Sequence, residues 1–174
     1  MKDEFKKLSE EWDETTKNIV GSIVEKTKHV ESFLEILLSE YLNCSGDKYS
    51  FVREVLFSNY FFDFGKKINL FKNLNLKERW LKGKDKEEFI KRIIKISKTR
   101  NAFAHDIVKG GFGGVSGMIM FDYRVRSFEG EDFKLIDYKE SFNEFNDNCS
   151  YVIEKIIAIN EVIIKKNKEA SNKK

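Results

Sequence analysis

Not one of the 174 residues is proline, where ordinary usage would place roughly nine. Proline breaks helix ladders and punctuates the turns of loop-rich β-sandwiches. A chain without it, whose apolar residues recur every three or four positions, is predicted to be all-α and built from long uninterrupted helices. Apolar residues make up 41% of the chain and charged residues 35%, the balance of a globular protein and not of a disordered one. At this length a single domain over residues 1–174, with charged ends, is expected to bury a substantial core.

Thirty-two Lys and Arg against 29 Asp and Glu leave a net charge of +3. So small an excess does not argue for nucleic-acid binding, which would have to rest on local clustering. The N-terminal MKDEFKKLSEEW has no apolar leader core, and no stretch approaches the length of a membrane span. Cys44 and Cys149 lack metal-type spacing and fit a reducing compartment, each read as a small buried hydrophobe. The expectation is a cytoplasmic protein without a membrane partner. Two histidines and scattered acids offer no convincing ligand set, so neither metal nor cofactor is foreseen.

The first helical stretch runs from Asp3 to Leu42, with Ile19, Ile23, Val30, Leu34, Leu37 and Leu38 at helical spacing. Gly21 is a point at which it can break in two. After a turn at Cys44–Lys48, Ser50 is read as the N-cap of a second helix carrying Phe51, Val55, Phe61, Phe62, Ile68 and Phe71. Its share of the 16 phenylalanines marks it as the most buried helix. A short helix is placed at Asn75–Lys82, and Asp85 with Glu88 supplies a capping signal for a helix that reaches His105. Two adjoining stripes line that helix: Phe89, Ile93, Ile96, Arg100, Phe103 and Ile90, Ile94, Ser97, Asn101, His105. Both turn polar at their C-terminal ends, as in a helix leaving its core for a functional groove, or in one simply surfacing into solvent.

Five of the ten glycines then fall in Gly110–Gly117, read as a flexible connector. Alternation in Met118–Phe128 and Phe133–Tyr138, around Glu129–Asp132, predicts a small β-hairpin inserted before the last helix. That helix, from Glu140 to Lys166, carries Phe142, Phe145, Cys149, Val152, Ile156, Ile159 and Ile163 on one seam. Ile153, Ile157, Asn160 and Ile164 form a second seam, available to a partner or to the helix's own core.

The chemistry concentrates in Lys98-Thr-Arg-Asn-Ala-Phe-Ala-His-Asp106. Its core, Arg100-Asn101-Ala102-Phe103-Ala104-His105, has the R-x4-H form, with Asn after the Arg, at the end of a middle helix flanked by long helices. In this it resembles HEPN-domain proteins across most of the chain, a group that includes toxin ribonucleases, abortive-infection proteins and type VI CRISPR effectors. The resemblance implies a HEPN-like bundle of four to five helices and a metal-independent RNA endonuclease, acting as a toxin or antiviral effector. It also implies a homodimer whose two motifs form one composite cleft, restrained by an antitoxin or another regulatory protein.

The residue types suit RNA cleavage without a metal. Histidine exchanges protons near neutral pH and so fits His105 for moving the proton of the attacking 2′-OH or of the leaving 5′-oxygen. The Arg100 guanidinium can meet the charge of a pentacoordinate phosphorane with two parallel hydrogen bonds. DNA, lacking the 2′-OH, should resist. Asn101, one turn before His105, can orient its ring, and a helix C-terminus favours the imidazolium form. Positions five apart on a regular helix diverge by roughly 140°, which weighs against a site built from one chain.

Arg124, Arg126 and Lys134 on the hairpin are candidates for RNA phosphates, although a solvated strand face explains them as well. GGFGGVSG lacks the Gly-Lys-Ser/Thr of a phosphate loop, and His29, four residues after Glu25, fits a surface ion pair. Two other readings of the chain stay open. One is a non-catalytic HEPN module binding RNA, a nucleotide or a protein, and the other is a helical structural adaptor.

Overall fold

The computed structural model describes residues 2–44, 46–58, 60–105, 109–115, 118–124 and 138–172, with side chains for 14, 17–44, 46–58, 60–103 and 141–172. The element order is α1 (Lys2–Tyr41), α2 (Asp47–Phe51), a π-helical turn (Val52–Leu56), α3 (Phe64–Glu78), α4 (Gly83–His105), β1 (Lys109–Val115), β2 (Met118–Arg124) and α5 (Tyr138–Ser171). The class is all-α, with five α-helices among the described residues.

The chain divides into two compact units, one made of residues 1–26 and 98–146, the other of 27–97 and 147–174. Helices α1, α4 and α5 contribute to both.

The larger unit is a bundle of four helical segments. On α1, Val30, Leu34, Leu37 and Leu38 are wholly buried, as the three-four spacing requires. Phe71 of α3 meets Phe89 of α4 with ring centroids 4.8 Å apart, and Trp80 in the connection packs on Phe71 at 5.9 Å. Arg92 of α4 donates to Asn148 of α5 at 3.3 Å and lies over the Tyr151 ring at 4.5 Å. Asn167 of α5 closes the circuit by donating to the Glu40 carbonyl of α1 at 2.9 Å. On the first α5 seam Phe145, Cys149, Val152, Ile156, Ile159 and Ile163 are buried, and Phe142 at its start is half-buried. Of the second seam, Ile157 is 41% exposed, whereas Ile153, Asn160 and Ile164 are half-buried.

The smaller unit holds the C-terminal turns of α4, the start of α5 and the strand pair. Ile23, Phe103 and Phe145 are its buried apolar residues among those described. Lys26 of α1 donates to Asn146 of α5 at 2.6 Å and stands 5.6 Å over the Phe142 ring.

Several expectations are corrected. Helix α1 runs unbroken through Gly21, which is exposed with nothing within 4 Å of an added Cβ, so this glycine weakens the helix without ending it. The second helix does not start at Ser50 and run to Phe71. It splits into α2, the π turn and α3, because Asp63, not Ser50, caps the long segment. Nor is it the most buried, since Phe51 and Phe61 are more than half exposed. No separate helix forms at Asn75–Lys82: its first four residues are the end of α3, which stops at Glu78, Arg79 turns left-handed at φ 56°, and Asn75 brackets the Leu81 backbone. Glu88 pairs with Arg92 at 2.6 Å, one turn on, and α4 opens at Gly83. Cys149 is buried as expected, but Cys44 lies half-buried in a turn.

The hairpin expected from Met118–Phe128 and Phe133–Tyr138 is not seen. Strand β2 pairs instead with the glycine-rich segment, Lys109 opposite Arg124 and Val115 opposite Met118. Residues 110–115 are thus strand and not a flexible connector, with 116–117 outside the described residues. A two-residue connection closes the tightest hairpin and carries the smallest loop-closure entropy, which favours this pairing over a more distant one. Residues 125–137, including the expected turn, lie outside the described residues, and Tyr138 opens α5.

The Asp63 cap generates a pH prediction. Its carboxylate accepts the Lys66 backbone N–H at 2.9 Å. That bond above all holds the Asp63 carboxyl below its ordinary pKa, against the opposing effect of burial and with help from the Lys66 ammonium at 3.4 Å. A depressed folded-state value means the ionised carboxylate stabilises the fold. The contribution is complete above the unfolded value of about 4 and is lost as pH falls through the folded value. Asp63→Ala should therefore cost about 1 kcal/mol at pH 7. In urea titrations the gap from the parent protein should shrink at pH 3.

Candidate active site

The R-x4-H hexapeptide occupies the last turn and a half of α4. This helix forms because its apolar residues fall on one stripe, of which Phe89, Ile93 and Ile96 are wholly buried and Phe103 is 8% exposed. Arg100 takes the stripe position between Ile96 and Phe103, so its aliphatic stem leaves the protein from a face that is otherwise core. The side chain is half-buried as a result. Its Nη1 donates to the Asn101 Oδ1 at 3.0 Å, and Asn101 itself is exposed. The carboxamide oxygen thus accepts from the guanidinium fork, while the ring of His105, which Asn101 was expected to orient, lies outside the described residues.

His105 is the final residue of α4, and its side chain lies outside the described residues. Its Cα stands about 7.5 Å beyond that of Arg100 along the helix axis.

Of the three basic candidates on the hairpin, Arg124 ends β2, while Arg126 and Lys134 lie outside the described residues. The register sets Lys109, which was not foreseen, directly opposite Arg124. Lys109 is four positions beyond His105, so their Cα atoms are within about 14 Å whatever path the connection takes. The signal available in the sequence was Lys109 itself, a base four positions beyond the histidine.

Elsewhere the candidates thin out. His29 is exposed on α1. Among the described residues no group of three or more His, Cys, Asp or Glu is placed to hold a metal ion, and no helix is long and apolar enough to cross a membrane. A cavity of about 320 Å³ in the larger unit is lined by Glu35, Tyr49, Ser50, Arg53 and Glu54. Its two carboxylates against one guanidinium make it a poor phosphate site. No protein-family model, curated protein or solved structure matches this chain.

The geometry separates a functional motif from a structural one by stability. Arg100 and Asn101 bond to each other at the surface, whereas Phe103 fills the core. Arg100→Ala and Asn101→Ala should each shift unfolding by about 1 kcal/mol or less. Phe103→Ala should cost about 3–5 kcal/mol. Denaturant titration of the three variants checks this, and a large loss for Arg100→Ala would mark the arginine as structural.

Proposed function

We propose that the chain is a HEPN-type ribonuclease, cutting RNA without a metal by attack of a 2′-OH on the adjacent phosphorus, with Arg100 and His105 as its catalytic residues. The observation that carries this reading is Arg100 itself: a guanidinium emerging from a core stripe and held by Asn101. A cap or a solvated surface arginine needs neither feature. In the reaction, His105 exchanges the proton of the 2′-OH or of the leaving 5′-oxygen. Arg100 donates paired hydrogen bonds to the phosphorane oxygens. Asn101 keeps the fork from rotating away, and Lys109 with Arg124 supplies charge for flanking phosphates.

Two copies form the working site in this proposal, because the splay between Arg100 and His105 on one helix is relieved when a second motif faces the first. An antitoxin or other regulatory protein restrains the cut, as the resemblance implies, and the enzyme works in the cytoplasm.

The test is cleavage of RNA in the presence of EDTA, which should leave the rate unchanged. An oligonucleotide with a 2′-deoxy residue at the cut site should be inert. His105→Ala and Arg100→Ala should each slow cleavage about a hundredfold or more. Asn101→Ala should cost less. Arg100→Lys should recover little, since it keeps the charge and loses the fork. If both alanine variants cut at the parent rate, the reading falls. If the parent protein binds RNA without cutting it, the non-catalytic module takes its place.

A further inference from the structure

The cavity of about 320 Å³ in the larger unit lies where α1 meets α2 and the π-helical turn. Each lining residue carries a polar group: Glu35 on α1, Tyr49 and Ser50 on α2, Arg53 and Glu54 on the π turn. The protein holds the Arg53 guanidinium in place yet leaves it short of acceptors. It lies 5.7 Å from the centre of the Tyr49 ring and its Nη2 donates to the Ser32 Oγ at 3.4 Å, while its buried Nε has no hydrogen-bond partner. A buried donor without an acceptor is costly and uncommon in a folded protein. Glu35 is fixed from behind. The ammonium of Lys67, 1% exposed, holds its carboxylate at 2.7 Å, and Glu35 keeps 17% of its side chain open.

The backbone contributes too. The Phe57 N–H reaches the Val52 carbonyl, five residues back, at 2.9 Å. A turn widened in this way sets successive side chains at a smaller angle, so Arg53 and Glu54, adjacent and opposite in charge, line one cavity. Such turns are rare and recur at functional sites. The charges define what fits. The lining sets two carboxylates against one guanidinium. Adding the ion cluster behind it keeps the same excess, with Glu31, Glu35 and Glu54 against Lys67 and Arg53. A matching occupant carries one carboxylate, which a guanidinium takes through two parallel hydrogen bonds, and two cationic groups for the acids. A phosphate or a dicarboxylate would meet those acids with like charge. Among the described residues no group of three or more His, Cys, Asp or Glu is placed for a metal ion, so the cationic groups are organic. The volume stands at the small end of ligand pockets and suits a small molecule.

We propose that this cavity binds a free basic α-amino acid, with its carboxylate on Arg53 and its two cationic groups on Glu35 and Glu54. The Tyr49 and Ser50 hydroxyls supply further hydrogen bonds. The site stands apart from the ribonuclease reading, because the ligand is expected to bind whether or not the chain cuts RNA.

Isothermal titration of the whole chain with L-lysine and with L-arginine tests the proposal, and at least one should fill a single saturable site per chain. Around L-lysine, three analogues each lack one group: L-norleucine the side-chain ammonium, Nα-acetyl-L-lysine the charged α-amine, cadaverine the carboxylate. Each should bind about tenfold more weakly or worse, since each forfeits a charge-assisted contact. The acetylated analogue also separates a free amino acid from a lysine at a peptide end. Arg53→Ala and Glu54→Gln should each weaken binding of the parent ligand by about tenfold or more. Glu54 is exposed, so its variant decides if Arg53→Ala fails to fold. The proposal is overturned if neither amino acid binds at concentrations up to about 10 mM, a bound that corresponds to negligible affinity. It is equally overturned if an analogue binds as tightly as L-lysine, or if Glu54→Gln leaves binding unchanged.

Discussion

Lys67 of α3 has 1% of its side chain exposed, and its ammonium is held between the Glu31 and Glu35 carboxylates of α1, the latter at 2.7 Å. Lone charges in such a setting are strongly unfavourable, and leaving either side uncompensated costs about 3–5 kcal/mol. The pairing therefore admits one rotation of α3 against α1. That rotation puts Ile68 and Phe71 inward, and Phe71 in turn receives Phe89 of α4. Position 67 thus ties α3 to α1 within the larger unit at one point along both helices.

The helices of this protein are legible in its sequence because burial and period coincide. The stripes on α1, α4 and the first seam of α5 are the residues that the structure buries, and the class follows from them. What was not legible comes from polar groups and from one backbone irregularity. Lys67 falls on an apolar stripe with Phe71, where hydropathy counts it as a fault rather than a partner. Its signal was the acid pair Glu31 and Glu35, one turn apart on the apolar side of α1. The Asn75 bracket on Leu81 imitates a backbone ladder, which no helical period announces. The π turn shifts the phase of Phe51–Phe57, so a reading that counts in threes and fours buries the wrong residues. The strand register escaped for a different reason: glycine-rich sequence reads as a connector, yet glycine leaves a backbone free to pair.

The candidate site was legible as a motif and as a place, the C-terminal end of α4. Its inner arrangement was not. Asn101 holds Arg100, and Lys109 faces Arg124; neither pairing follows from residue spacing. The first alters how the motif would work. A guanidinium clamped by a carboxamide is pre-oriented for a planar, two-oxygen contact, which lowers the entropy lost when phosphate arrives.

Direct 2′-OH attack, aided by Arg100 and His105 with no metal, is the central claim, and it leaves a chemical signature. Mass spectrometry of the 5′ fragment from a defined RNA, cut by the purified protein in EDTA, reads it directly. The account predicts a 2′,3′-cyclic phosphate, or the 3′-phosphate derived from it, on that fragment. A 3′-hydroxyl there, with the phosphate carried by the downstream fragment, would contradict it, since that outcome requires an activated water in place of the neighbouring hydroxyl.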